Sequence, residues 1–105
     1  MRLLLAAALA AVAVPAPADA RQARCYNTVD GFYACDFQPF GGDGSFTVSA
    51  PTRPSYTISM IRRGVAAGFA DYGNGNVALP GTFYRSDRDR ACWVSDATDF
   101  AVCAY

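Results

Sequence analysis

Residues 25–35 read Cys-Tyr-Asn-Thr-Val-Asp-Gly-Phe-Tyr-Ala-Cys, two cysteines separated by strand-forming residues and a turn. Within the stretch, Val29-Asp30-Gly31 has the composition of a three-residue hairpin loop, because the last residue of such a loop takes the left-handed conformation that glycine adopts most easily. Counting outward from this loop places Cys25 directly opposite Cys35. Facing cysteines lie within disulfide reach, so the stretch predicts a clamped hairpin.

The same count works near the other end of the chain. If residues 96–99 form a four-residue loop, Cys92 faces Cys103. The alternative connectivity joins the two hairpins and closes larger loops, which stabilise by about 4–5 kcal/mol against about 3 kcal/mol for the local pairing. Geometry favours local pairing and entropy the distant one, and sequence alone leaves the choice open. We predict Cys25–Cys35 and Cys92–Cys103.

The first twenty residues have the three parts of a secretory signal peptide. Arg2 supplies the positive charge, residues 3–14 are an unbroken run of Leu, Ala and Val, and Ala18-Asp19-Ala20 has the small-x-small pattern that signal peptidase cleaves. The run is too short for a membrane-spanning helix, which needs about 20 apolar residues. We predict cleavage after Ala20, so that residues 1–20 are the signal peptide and residues 21–105 one mature domain with no stable membrane anchor.

The charge balance excludes one class of partner. Every charged side chain is Arg or Asp, nine of each, and the chain has no Lys, Glu or His. Residues 1–20 hold one of each, so the predicted mature domain is neutral too. Because it lacks the basic excess that holds phosphate backbones, we expect no nucleic-acid partner. The Arg-, Ala- and Gly-rich composition is typical of a GC-rich bacterial genome, so we expect a periplasmic or secreted bacterial protein.

Short strand patterns fill the remainder of the predicted mature domain. Residues 45–50 and 56–60 alternate polar and apolar side chains with the period of a strand. Turn signals follow them, including two prolines within residues 51–54 and Gly-Asn-Gly-Asn at residues 73–76. This spacing predicts an all-β fold, a small antiparallel sandwich or barrel of about eight short strands, stapled by disulfides.

Two stretches are less regular than these strands. Residues 65–70 read Val-Ala-Ala-Gly-Phe-Ala, which allows a helical turn weakened by its glycine. The tail Arg21–Arg24, just after the predicted cleavage site, is expected to be disordered.

Three arginines alternate with aspartates in Arg85-Ser86-Asp87-Arg88-Asp89-Arg90. One interpretation is an arginine patch for a carboxylate or phosphate, since the guanidinium fork matches planar anions. The other is a solvated loop in which neighbouring aspartates cancel the positive charge. The sequence favours the solvated loop and leaves the patch as a candidate.

Loop tips supply the other candidate contacts. Phe37 and Phe40 precede a glycine-rich turn, and Asn74 lies in a predicted hairpin turn. If the two aromatic side chains are exposed, they can contact a protein groove or a sugar ring. If they are buried, they belong to the edge of the core. Because large exposed apolar patches are rare, the sequence favours the buried interpretation. Trp93 is interpreted as core. The candidate binding surface comprises Phe37, Phe40, Asn74, Arg85, Arg88 and Arg90.

Few residues of the sequence support a metal site or a catalytic site. Residues 41–45 (Gly-Gly-Asp-Gly-Ser) lack the later Asp of a calcium-binding nonapeptide, and Asp71 with Asn74 and Asn76 lacks the Glu of an EF-hand loop. Without His or Lys, neither the usual triads nor a Schiff base can form. We expect no metal, no cofactor and no enzymatic activity. The single acid/base candidate is Asp36, on the condition that it lies in an apolar setting.

These features favour a non-enzymatic exported module that binds a protein or an envelope polymer. The alternatives are a structural or stress-protective envelope protein without a specific ligand, a periplasmic inhibitor of a hydrolase, and an Asp-based hydrolase. A small exported β domain with one cysteine early and another near its end is similar in layout to bacterial lysozyme inhibitors. The similarity is one of architecture, because no inhibitory motif can be matched residue by residue.

Overall fold

A computed structural model describes residues 20–105, so the predicted signal peptide lies, but for its last residue, outside the described residues. Residues 20–105 form nine strands and no helix, and so contain no helix able to cross a membrane. The strands are β1 (Arg21–Asn27), β2 (Gly31–Phe40), β3 (Ser45–Ser49), β4 (Ser55–Arg62), β5 (Val65–Asp71), β6 (Asn76–Ala78), β7 (Phe83–Arg85), β8 (Cys92–Ser95) and β9 (Ala101–Ala104).

Eight of the nine strands close into an antiparallel barrel. Hydrogen-bonded neighbours follow the order β4-β3-β2-β1-β9-β8-β7-β5, and β5 pairs back with β4. The extra strand β6 pairs with the second half of β5, beside the place where β7 pairs with the first half. Closure pairs strands that an open sheet leaves as edges, and it decides between the two predicted architectures in favour of the barrel.

Alternating side chains of the strands fill the barrel. Trp93 on β8 and Phe83 on β7 are the largest side chains that are almost fully buried. Gly68 on β5 lies against the Phe83 ring so closely that a Cβ there would overlap it. The glycine therefore makes room for the ring. The other members of the core are Cys25, Tyr33, Cys35, Phe46, Val48, Tyr56, Ile58, Ala66, Ala70 and Val102.

The C-terminal hairpin, β8–β9, has the predicted register. Across loop 96–99 the Ser95 N–H donates to the Phe100 carbonyl at 2.9 Å. Cys92 faces Cys103 with their Cα atoms 4.0 Å apart, and a disulfide joins them. Both the local connectivity and the four-residue loop are confirmed here.

The N-terminal disulfide Cys25–Cys35 is also confirmed, but the predicted register of its hairpin, β1–β2, is wrong. Cys25 faces Tyr33, and Cys35 faces Ala23, so the two cysteines lie diagonally with their Cα atoms 5.9 Å apart. The pairing is shifted by two residues from the predicted one. Because side chains alternate with a period of two, this shift leaves both cysteines on the inner face of the barrel.

Asn27, the last residue of β1, explains the shift. Its buried side-chain oxygen accepts hydrogen bonds from the N–H groups of Val29 at 2.9 Å and Asp30 at 2.8 Å. Such a side-chain turn starts the loop at Thr28, one residue earlier than predicted. Gly31, with φ of 74°, is then the first residue of β2 and pairs with Asn27.

The two disulfides lie on different faces of the barrel wall. Cys25 and Cys35 belong to the hydrophobic core. Cys92 and Cys103 alternate with the core residues Trp93 and Val102, so they lie on the outer face, where Cys92 is half-buried and Cys103 is only 1% exposed. The Cys25–Cys35 disulfide therefore cross-links β1 and β2 inside the core, and the Cys92–Cys103 disulfide cross-links β8 and β9 on the outer face of the barrel.

Two further predictions are corrected by strand pairing. The tail Arg21–Arg24 is not disordered, because it forms the first half of β1 and pairs with residues 34–37 of β2. Residues 65–70 form no helical turn, because they belong to β5 and pair with β4 along almost their whole length. In both cases the ladder of a neighbouring strand outweighs a weak local preference.

Candidate functional site

Four arginines line a cavity of about 410 Å³ at one end of the barrel. Three connections meet there, β2–β3, β4–β5 and β7–β8, because neighbouring strands run antiparallel. We call this cavity, lined by Arg62, Arg63, Arg85 and Arg90, the arginine pocket. Met60 and Trp93 contribute apolar surface to its wall. The cavity is concave and cationic, which is the shape and charge of an anion-binding site.

Each arginine reaches the pocket by a different local route. Arg62 and Arg63 are exposed at the β4–β5 turn, next to a bulge that shifts the register between Met60 and Arg62. Arg90 is exposed in the loop between β7 and β8. Arg85 ends β7 two residues after the buried Phe83, so strand alternation directs it inward. Arg85 is therefore the arginine that the barrel itself positions.

Arg85 packs against Trp93, its direct cross-strand partner. The central guanidinium carbon lies 4.8 Å from the centre of the indole ring, within cation–π range. Its Nε atom is buried and finds no hydrogen-bond acceptor among residues 20–105. A buried donor without a partner is unfavourable, so this group favours any acceptor that enters the cavity.

The positive charge of the pocket is not neutralised from within. Among residues 20–105 the only ion pair joins Arg53 to Asp30 at 3.5 Å, away from the pocket arginines. Asp43 is the one acidic residue in the cavity lining, and its carboxylate accepts a hydrogen bond from the Ser45 N–H at 3.0 Å. Hydrogen bonding to Ser45 lowers the pKa of Asp43, which keeps this carboxylate ionised at neutral pH. Four cations thus share the cavity with one anion.

Asp89, the residue before Arg90, does not pair with a neighbouring arginine as the solvated-loop interpretation expected. Asp89 accepts hydrogen bonds from the Tyr105 hydroxyl at 2.5 Å and the Ala91 N–H at 3.0 Å. The hydrogen bond from Tyr105 lowers the pKa of Asp89. Asp89 therefore anchors the C-terminal segment and makes no ion pair with its arginine neighbours.

The structure brings together only two of the six predicted surface residues. Arg85 and Arg90 line the arginine pocket, whereas Arg88, in the same loop, does not. Phe37 is half-buried and stacks on Phe46, with ring centres 5.0 Å apart. The other two predicted residues are Phe40, 43% exposed at the end of β2, and Asn74, exposed in the β5–β6 turn.

Sequence reasoning missed Arg62 and Arg63. The two residues directly precede Gly64 in a stretch with no other charged neighbour, and nothing local connects this stretch to Arg85, more than twenty residues later. The available signal was the adjacency of two arginines without a nearby acid. That pattern indicates local positive charge, but only barrel closure shows where the charge lies.

Asp36, the acid/base candidate, lies on the outer face of β2. Its side chain is exposed, while its neighbours Cys35 and Phe37 alternate to the inner face. The Gln22 side-chain amide donates a hydrogen bond to its carboxylate. The apolar setting that general acid/base work required of Asp36 is therefore not present.

The other end of the barrel has the opposite character. A cavity of about 450 Å³ there is lined mainly by apolar and aromatic side chains, among them Val29, Tyr56, Leu79 and Phe100. Burial raises the pKa of Tyr56 to about 12. The two ends thus differ in chemistry, one cationic and one apolar.

The disulfides indicate the compartment in which the chain folds. Both bonds use all the cysteines of residues 20–105 and are structural, which indicates an oxidising compartment, extracellular or periplasmic. Comparison with known proteins found no family model, no curated protein and no solved structure that matches this chain. Its function must therefore be argued from the arginine pocket itself.

Proposed function

We propose that this chain is an exported, non-enzymatic binding module that holds an anionic component of the bacterial envelope in the arginine pocket. The observation that carries the proposal is the set of four guanidinium groups around one cavity, none within ion-pair distance of a carboxylate of residues 20–105. Like charges in a concave cleft focus the local field and attract anions. Guanidinium groups then hold oxyanions through paired, charge-assisted hydrogen bonds.

The signal-peptide pattern of residues 1–20 and the two disulfides support export. Residues 21–105 carry no net charge, so attraction to anions depends on a local cluster of like charges such as the arginine pocket. Such a module binds through a local site and not through a general basic surface. This is the behaviour expected of a protein that must recognise one envelope component among many anionic surfaces.

The chemistry of the pocket supports binding in preference to catalysis. Arginine side chains stay protonated at all physiological pH values, so they donate hydrogen bonds but do not exchange protons. Asp43, the one acid in the lining, has a lowered pKa and is engaged by Ser45. Apart from Asp43, the charged groups of the lining are the four guanidinium groups, which hold and orient an anion.

Co-sedimentation with insoluble polymers tests the proposal. The protein is produced by exporting the full chain into an oxidising compartment, and is mixed with cross-linked polygalacturonate or with neutral dextran gel. We expect retention on the polyuronate alone, weakening as salt is raised because exposed charges are screened. The double substitution Arg62→Ala/Arg63→Ala is expected to weaken retention by about tenfold or more, on the basis of two lost charge-assisted contacts.

Arg88→Ala is the matched control, because Arg88 is exposed and lies outside the cavity lining. It removes a positive charge and is expected to leave retention nearly unchanged. Equal retention on dextran, or equal losses for the control and the double variant, contradicts the proposal. A structural envelope protein without a specific ligand would be retained by neither polymer.

A further inference from the structure

Resting on the proposed function, we infer that Arg85 is the residue that selects the ligand, and that the group it binds is an oxyanion carried by a sugar ring of an acidic polysaccharide. The other three pocket arginines are exposed, whereas Arg85 is half-buried and packed on Trp93. Exposed arginines attract an anion from solution, and a fixed arginine decides which anion fits. The three exposed arginines therefore attract the anion, and the half-buried Arg85 selects it.

The packing of Arg85 pre-organises its donors. Cross-strand pairing places its side chain over the Trp93 ring, so little side-chain freedom is left to lose when a ligand binds. The Nε–H and the neighbouring Nη–H of an arginine form an edge that binds two oxygens of one oxyanion. In this protein the Nε of that edge is buried and has no acceptor among residues 20–105. An oxyanion inside the cavity would supply the missing acceptor.

The form of the site favours a sugar over a peptide. Extended peptides commonly bind by adding a strand to a free sheet edge, but the strands that end at the arginine pocket are paired within the closed barrel. A cavity of about 410 Å³ lies within the range of small-molecule sites and accommodates a sugar ring with its substituents. Met60 and Ile61 add apolar surface beside the guanidinium groups, which suits the mixed apolar and polar surface of a pyranose.

Trp93 reports on this site directly, because it is the single tryptophan of the chain and lies under Arg85. The exported protein is titrated with galacturonate, galactose 6-phosphate and galactose, and its tryptophan emission is followed. We expect the two anionic sugars to change the emission saturably and galactose to leave it unchanged. Whichever anionic sugar binds more tightly identifies the oxyanion as carboxylate or phosphate.

Arg85→Lys tests the selecting role, because lysine keeps the charge but lacks the fork. We expect binding of the preferred anionic sugar to weaken by at least about tenfold, the loss of roughly one paired contact, while salt-sensitive retention on polygalacturonate persists. Arg88→Lys is the matched control and is expected to bind like the parent. Thermal midpoints of both variants establish that each is folded. The titration of the unsubstituted protein stands on its own if Arg85→Lys does not fold.

The outcomes separate this inference from the proposed function. The inference is overturned if both anionic sugars leave the Trp93 emission unchanged, or if Arg85→Lys binds like the parent. It is also overturned if triglutamate, an acidic peptide titrated in the same way, binds more tightly than either sugar. Polygalacturonate retention that survives these results leaves the proposed function standing. Saturable sugar binding without polymer retention has the opposite meaning: it supports Arg85 as the anionic-sugar site and overturns the envelope-polymer proposal.

Discussion

The hairpins β1–β2 and β8–β9 each carry one disulfide, with sequence separations of 10 and 11 residues. On the chain-entropy model, loops of this length constrain the unfolded chain almost equally, by about 3 kcal/mol each. Their surroundings differ, because Cys25–Cys35 is part of the core and Cys92–Cys103 lies on the outer face. Because Cys103 is itself only 1% exposed, any difference between them in folded stability reports their place in the core or on the outer face, and not solvent exposure alone.

The two hairpins also share one pattern of side-chain hydrogen bonding at their loops. Asn27 and Ser95 are both buried at the end of the strand that enters the loop. The Ser95 hydroxyl accepts hydrogen bonds from the N–H groups of Ala97 at 3.1 Å and Thr98 at 3.3 Å, as Asn27 does for its own loop. In both hairpins, a buried polar side chain at the strand end organises the loop. Gly31, the first residue after the β1–β2 loop, permits the turn with its φ of 74° but does not determine where the loop starts.

The largest expected difference comes from removing each disulfide in turn. Cys25→Ala/Cys35→Ala is expected to lower the free energy of unfolding by about 5 kcal/mol, since it removes the cross-link and leaves space in the core. Cys92→Ala/Cys103→Ala should cost less, about 3 kcal/mol for the cross-link, because neither cysteine belongs to the core cluster although Cys103 is buried. Urea denaturation of both exported variants measures the difference. Equal losses would show that membership of the core adds nothing to the effect of the inner disulfide.

A smaller effect is expected from the two loop-organising residues. Asn27→Ala removes two acceptor contacts and a donated hydrogen bond to Asp30 at 3.0 Å, so we expect a loss of about 2–3 kcal/mol. Ser95→Ala also removes two acceptor contacts and a donated hydrogen bond, to the Pro80 carbonyl at 2.8 Å. Because its loop contacts are longer than those of Asn27, we expect a smaller loss of about 1–2 kcal/mol. Denaturant midpoints measure both.

Asn74→Ala is the control for these two substitutions, because this asparagine is exposed in the β5–β6 turn. It should change stability by no more than about 0.5 kcal/mol. A loss for Asn27→Ala as small as that of the control would contradict the role assigned to Asn27 in setting the register.

The smallest expected effect concerns the outer hairpin and its pH dependence. Tyr105 lies beside the outer disulfide, with its hydroxyl 3.7 Å from the Cys92 sulfur, and donates to Asp89. The pKa of Asp89 is lowered and that of Tyr105 raised by this hydrogen bond. Its stabilisation is therefore present above the ordinary carboxyl pKa and is lost in acid as Asp89 protonates. In alkali it is lost as the pH rises through the raised pKa of Tyr105.

Tyr105→Phe should return the pKa of Asp89 toward its ordinary value, as followed by NMR titration of the Asp89 carboxyl group. Tyr84→Phe is the control, because Tyr84 and Tyr105 are equally exposed, at 44%. An Asp89 titration that moves equally in both variants, or in neither, is inconsistent with the assigned hydrogen bond.

Much of the fold follows from local signals in the sequence. Period-two alternation identified β3 and β4, and prolines and glycines marked the turns. The register of β8–β9 was predicted by counting from its loop, and the same count failed for β1–β2 because the buried side chain of Asn27 starts the loop one residue earlier. The shift still leaves Cys25 and Cys35 on one face of the hairpin, because it is a shift by two residues, and the predicted disulfide forms.

The candidate site was predictable only in part. Arg85 and Arg90 were singled out by composition, but the expectation that neighbouring aspartates neutralise them depended on sequence proximity alone. In the fold Asp89 binds Tyr105 instead, and the β4–β5 turn brings Arg62 and Arg63 to the same cavity. Contacts between residues far apart in sequence are set by the order in which the strands pair, which no local pattern records.

The sequence by itself determined the strand content, most of the turns and the facing register of Cys92 and Cys103, and it favoured the local disulfide connectivity without fixing it. These follow from interactions between near neighbours, which alternation and turn chemistry describe. Only the tertiary structure decided that the sheet closes, that the inner disulfide is diagonal, and that four arginines share one cavity while Arg85 rests on Trp93. The diagonal disulfide follows from the loop that the buried Asn27 side chain organises. The closed sheet and the shared cavity depend on which distant strands become neighbours, and that choice is made by the burial of the whole core.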